Sequence, residues 1–111
     1  MAEPIEEGTL IRLIGLSAAE LSVCLEAGWV VPDEQAGMRR YLDIDVARVR
    51  LIHELRSDLG LDDEAVSVVL SLIDQLHTLR HELACMADAL RKEPEETRRR
   101  ILEDMTRRLK D

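Results

Sequence analysis

The most ligand-like residues in this sequence are His77, His81 and Cys85, spaced i, i+4, i+8, with Asp74 nearby on the same stripe. On a helix that spacing sets three potential ligands along one face, and an HxxxH pair can hold zinc. Zinc takes further ligands from elsewhere in a chain, and Cys24 is the only other thiol. The pattern reads instead as the edge of an amphipathic helix that carries a small buried cysteine, and neither a metal nor a cofactor is expected. Carboxylates form the second group. Asp62, Asp63, Glu64 and Asp74 gather on one stretch, and Glu20 and Glu26 join an acidic opening segment. Clustered carboxylates steer the encounter with a basic partner and set its orientation. Arg39 and Arg40 are the bases best placed to meet phosphate. Arg98, Arg99 and Arg100 are interleaved with acids and read as helix-surface ion pairs. No glycine-rich phosphate loop, nucleophile elbow or paired catalytic carboxylate is apparent, so an enzyme is not expected.

These groups need elements to hold them. The chain has 111 residues, 46% hydrophobic and 34% charged, enough to bury one core and stay in solution. Aromatics are Trp29 and Tyr41 alone, so Leu, Val, Ile and Ala must fill that core. An all-α fold with a small β-hairpin wing is expected. Thr9–Ile14 is a short apolar piece compatible with helix or strand. Ser17 and Glu20 form a capping box for a helix that runs to Ala27, with Gly28 as its C-terminal stop. Trp29–Pro32 and Met38–Leu42, around a turn at 33–37, form the wing. Asp43 or Asp45 caps a helix ending at Leu59-Gly60. Asp62 or Asp63 opens a long helix that nothing breaks before Pro94, and a last helix follows. The expected organisation is an acidic leader (1–8), a winged helix-turn-helix part (9–60), the long helix (61–93) and a C-terminal helix (94–111), all within one domain.

The long helix carries apolar residues over an arc of about 160°, broader than a small domain covers by itself. Val69, Leu72, Leu76, Leu79, Leu83, Met86 and Leu90 are therefore expected to meet a second copy of the chain and make a homodimer. The competing arrangement folds the last helix back over them.

The net charge is −8, and it is uneven. Residues 1–37 carry seven acids and one base, and residues 61–90 carry six acids and one base. Residues 91–111 carry eight bases and six acids. Such a balance disfavours polyanions, whether nucleic acid or anionic lipid, and suits a basic partner. Two cysteines make no disulfide framework. The acidic start has no apolar signal region, and no run nears the roughly 20 residues of a membrane span. A cytoplasmic location without membrane contact is expected.

The order helix, turn, capped helix, Gly28-Trp29-Val30, wing, Arg40-Tyr41 and Asp43 resembles the winged helix-turn-helix of MerR-type regulators. Within that superfamily, the runs Leu51–Glu64 (LIHELRSDLGLDDE) and Val69–Arg80 (VLSLIDQLHTLR) are similar to the chaperone-modulator family CbpM. The resemblance spans about residues 9–90. It implies a small cytosolic bacterial adaptor that binds the J-domain of a CbpA/DnaJ-like co-chaperone and stops it stimulating the DnaK ATPase. The residues placed at that contact are Asp62, Asp63, Glu64 and Asp74, with His77 and Arg80 of the second run. The alternative implied by the wider superfamily is a DNA-binding transcriptional regulator. Against it, the candidate recognition helix, Ser17 to Ala27, has no Lys or Arg and carries Glu20 and Glu26.

Overall fold

The computed structural model describes residues 3–110. It contains five helices among short strands: β1 (Ile5–Glu6), α1 (Glu7–Ile14), α2 (Ala18–Glu26), β2 (Asp33–Gln35), β3 (Met38–Tyr41), α3 (Asp43–Ser57), α4 (Asp63–Arg91) and α5 (Glu95–Leu109). The ambiguous piece at 9–14 is helical and starts earlier than its apolar run. Its end is set by Gly15, whose φ of 82° continues into a left-handed cap while its N–H donates to the Ile11 carbonyl. The α2 cap is the expected one: the Ser17 hydroxyl accepts the Glu20 N–H at 3.1 Å.

The wing departs from expectation at both ends. Trp29–Pro32 is not a strand. Trp29 and Val30 are buried instead. The Trp29 indole N–H donates to Ser67 Oγ at 2.9 Å, and Arg48 Nε–H donates to the Trp29 carbonyl. Committed to the core in this way, that segment has no free edge to pair. The strand moves into Asp33–Gln35, and the turn shrinks to Ala36-Gly37, with φ of 53° and 76°. Two successive positive φ values suit a two-residue hairpin turn. The acidic opening is no mere leader either. Ile5 and Glu6 pair antiparallel with Tyr41 and Arg40, which makes a three-stranded sheet in the order β1-β3-β2.

In α3 neither aspartate is the cap residue. Leu42 holds that position, and Asp45 reaches back to accept the Leu42 N–H at 2.9 Å. The helix stops at Ser57, short of Leu59-Gly60. At α4 it is Asp62 that caps, accepting the Ala65 N–H at 2.8 Å.

By its contacts the chain forms two compact units, Met1–Ser71 and Leu72–Asp111, divided within α4. The first unit holds the buried core of the described residues: Leu10, Leu21 and Cys24 from the first two helices, Leu16, Trp29 and Val30 from the connections around α2, Tyr41 from the sheet, Val49, Ile52 and Leu55 from α3, and Val66 and Leu70 from α4. In the second unit no described residue is buried. Its apolar side chains stay open along both helices, Leu76 at 48% and Met86 at 64% in α4, Leu102 at 46% in α5. The last helix therefore does not cover the stripe on α4. No single helix is long and apolar enough to cross a membrane among the described residues.

Tyr41 is 1% exposed, and its hydroxyl finds no hydrogen-bond partner among the described residues. Burial first, and then the charge of Glu7, push its pKa from 10.0 up to about 12. The unfolded chain loses this proton at lower pH than the native one. The ionisation of Tyr41 therefore has no effect on stability below about pH 10 and lowers it as pH rises towards 12. Spectrophotometric titration of this sole tyrosine should give a native midpoint near 12. Tyr41→Phe should abolish the phenolate signal and flatten that alkaline loss of stability.

Candidate protein-binding site

The helix that would read DNA in a winged helix-turn-helix is α2, and its one inward carboxylate is already engaged. Glu20, 18% exposed, lies 2.8 Å from His53 Nδ1 and 4.0 Å from Arg56 Nη1. Arg56 Nε in turn reaches Asp63 Oδ1 at 3.3 Å. One relay of charge thus joins α2, α3 and the first turn of α4. It crosses an open groove lined also by Ser17, Ala19, Val23, Leu61 and Asp62. Partial burial makes these contacts worth more than exposed surface ion pairs. Cys24 is on the buried side of α2, and burial raises its thiol pKa, so it is a packing group.

The wing arginines are engaged too. Arg39 pairs with Glu7 at 3.3 Å and Arg40 with Glu6 at 3.4 Å. These exposed pairs are weak, but they place carboxylates beside the only wing cations.

Of the residues expected at a partner contact, Asp62 is a helix cap and Asp63 belongs to the relay. Glu64, Asp74, His77 and Arg80 are exposed. At about 100° per residue, Asp63, Asp74 and His77 share one side of α4, whereas Glu64 and Arg80 flank it. Asp74 and His77 are thus about one turn apart on the same side of α4, and the structure does not bring the six into one cluster. Imidazole and thiol meet farther along, with Cys85 Sγ 3.7 Å from His81 Nε2, and Cys85 is exposed there, not buried as expected, because no element packs over that part of α4 among the described residues. Among the described residues no three potential metal ligands converge.

The broad apolar arc of α4 resolves into two stripes. Val66 and Leu70 are buried in the core. Val69, Leu72, Leu76, Leu79, Leu83, Met86 and Leu90 recur at alternating steps of three and four, the a/d spacing of a coiled coil. Val69 is shared, since it also packs against the core of the first unit.

Residues 5–88 match the family described as MerR HTH family regulatory protein. The chain belongs to that family. The MerR match takes in the helix-turn-helix, the wing, α3 and α4 as far as Asp88, and leaves α5 outside it. No curated protein matches the chain.

His53 and Arg56, the partners of Glu20, were not singled out by residue type, although both lie inside the LIHELRSDLGLDDE run. Their spacing of three puts them on one side of α3, which was the available signal. Glu20→Ala should destabilise the fold by about 1–3 kcal/mol, because it leaves two partly buried partners unsatisfied. A urea-melt double-mutant cycle with Arg56→Ala should show coupling of at least about 0.5 kcal/mol. Strict additivity would mean that the relay is not an energetic unit.

Proposed function

We propose that this MerR-family chain regulates by binding protein, as a dimeric adaptor that engages the J-domain of a CbpA/DnaJ-like co-chaperone and keeps it from stimulating the DnaK ATPase. The observation that carries the proposal is the state of the elements that would read DNA. The exposed side chains of α2 include no base, its Glu20 is tied inward, and both wing arginines face carboxylates. Phosphate contacts supply most of the affinity for DNA, and here the surface offers them the wrong sign. The acids of α4 instead suit a basic helix, and the two CbpM-like runs lie on α3 and α4. Such a partner places the chain in the cytoplasm.

A MerR-like transcriptional regulator remains the second reading, favoured by family membership, with Arg39 and Arg40 as its contacts. Purified protein should bind an isolated J-domain and suppress its stimulation of DnaK. Glu64→Lys with Asp74→Lys should slow association by on the order of tenfold or more while the fold survives. Duplex DNA titrated at low salt, the most permissive condition, should give no sequence-preferring complex. A specific complex there, with no J-domain binding, would replace the adaptor by the regulator.

Homodimerisation through the a/d stripe of α4 is part of the same proposal. Exposed apolar side chains at that spacing are covered when a second copy pairs through the same patch. Sedimentation should show a dimer at micromolar concentration, and Leu79→Glu should convert it to a monomer, since an unpaired charge in an apolar seam costs several kcal/mol. A wild-type monomer would remove the dimer from the proposal.

A further inference from the structure

The second unit leaves two apolar stripes in water. On α4 the stripe runs through Leu79, Leu83 and Met86 to the half-buried Leu90, and on α5 it is Ile101, Leu102, Met105 and Leu109. Helix α5 lies outside the family match and adds nothing to the buried core. Apolar side chains at helical spacing gain free energy wherever a matching surface covers them. Along the chain, the nearest such surface to each stripe is the other.

Three residues join the two helices. The N–H groups of Lys92 and Glu93 donate to the carbonyls of Ala89 and Leu90, which tightens the end of α4. Pro94 is extended, with φ of −56° and ψ of 150°, and its carbonyl accepts the Arg98 N–H to start α5. A connection this short is of the kind that joins antiparallel helices, and swinging α5 against α4 changes only the torsions of Lys92 to Pro94. Folded about Pro94, Leu90 lies level with Arg98, Met86 with Leu102, Leu83 with Met105 and Leu79 with Leu109. The steps are four, three and four residues on both helices, so the stripes stay in register over about three turns. On the flanks Glu82 comes beside Arg108 and Arg91 beside Glu95, opposite charges in both cases. Arg91 and Arg108 already hold Asp88 and Asp104 on their own helices, so these pairs orient the hairpin more than they hold it. Two features weaken closure and keep it reversible. Arg98 stands in the stripe opposite Leu90, and Arg80 meets Lys110 at the open end.

We propose that α5 is a strap: in a chain whose α4 stripe has no other occupant it folds back over Leu79 to Leu90, and it swings off when a second copy takes that stripe. The structure holds the open form, with both stripes exposed. Strap and second copy use the same side chains, so the strap sets the concentration at which the stripe is taken. This rests on the α4 stripe of the reading above and not on the co-chaperone, and its measurements contain no J-domain.

Spin labels at Thr78→Cys and Lys110→Cys, in a Cys85→Ser chain whose remaining Cys24 is buried, report the hinge. Closed, the two sites are level on helices about 10 Å apart, so the dilute labelled chain should give one short distance. Excess unlabelled chain should lengthen it. Leu102→Glu with Met105→Glu keeps the helix and touches no core residue, and charge set against the α4 stripe holds the strap open. That variant should give the long distance even when dilute. In sedimentation equilibrium it should also self-associate on the order of tenfold more tightly, because the competitor is gone. A long distance in the dilute chain with its own α5 sequence, or self-association that the variant leaves unchanged or weakened, would overturn the strap. So would a short distance that persists where sedimentation shows the dimer. A wild type that stays monomeric with the short distance, and associates only as the variant, would support the strap while removing the dimer from the wild type.

Discussion

A single half-buried carboxylate fixes how the first three long elements meet. Glu20 leaves α2, the helix meant for an external partner in this architecture, and turns back to His53 and Arg56 on α3. Arg56 passes the contact on to Asp63, which opens α4. Apolar packing between Leu21, Cys24, Ile52 and Val66 supplies most of the driving force, yet it is non-directional. The relay gives the helices an orientation, because a buried charge tolerates few arrangements in which its partners stay in reach. It also turns Glu20 away from the outer face of α2, while Glu26 on α2 and Glu64 and Asp74 on α4 stay exposed.

That long helix serves two masters. Over its first two turns it closes the core with Val66 and Leu70, and from Leu72 onward it presents a seam to solvent. A helix that closes the core along one stripe and carries a second, exposed apolar stripe has a wide apolar arc. The acids take what is left of the circumference.

Much of this was legible from residue types and spacing. Ser17 and Glu20 marked the start of α2, Asp62 or Asp63 that of α4, and Pro94 the break before α5, because each signal is local. The exposed apolar stripe from Leu72 to Met86 was also legible, since its period is local. The wing was misplaced because Trp29-Val30-Val31 has strong strand propensity, and only the tertiary fold shows that the indole is needed against Ser67. The strand Ile5–Glu6 was missed for a similar reason: two residues carry no period, and their pairing with Tyr41 and Arg40 is remote in sequence. As for the candidate site, composition indicated an acidic surface, but not which acids are committed internally. Glu20 and Asp63 look like their neighbours until the partners on α3 are placed beside them.

The seating of Trp29 gives the molecule a built-in optical reporter. It is the only tryptophan, its indole is hydrogen-bonded to Ser67, and the sequence after Tyr41 contains no further aromatic residue of the Phe, Trp or Tyr type. Intrinsic fluorescence therefore reads the packing of the first unit alone, while far-ultraviolet circular dichroism, proportional to helix, is weighted towards α4 and α5. Melting curves from the two signals superimpose when both units unfold together, and separate when the second frays first. The near-absence of aromatics, which left the core to aliphatic side chains, also makes this single emission free of interference.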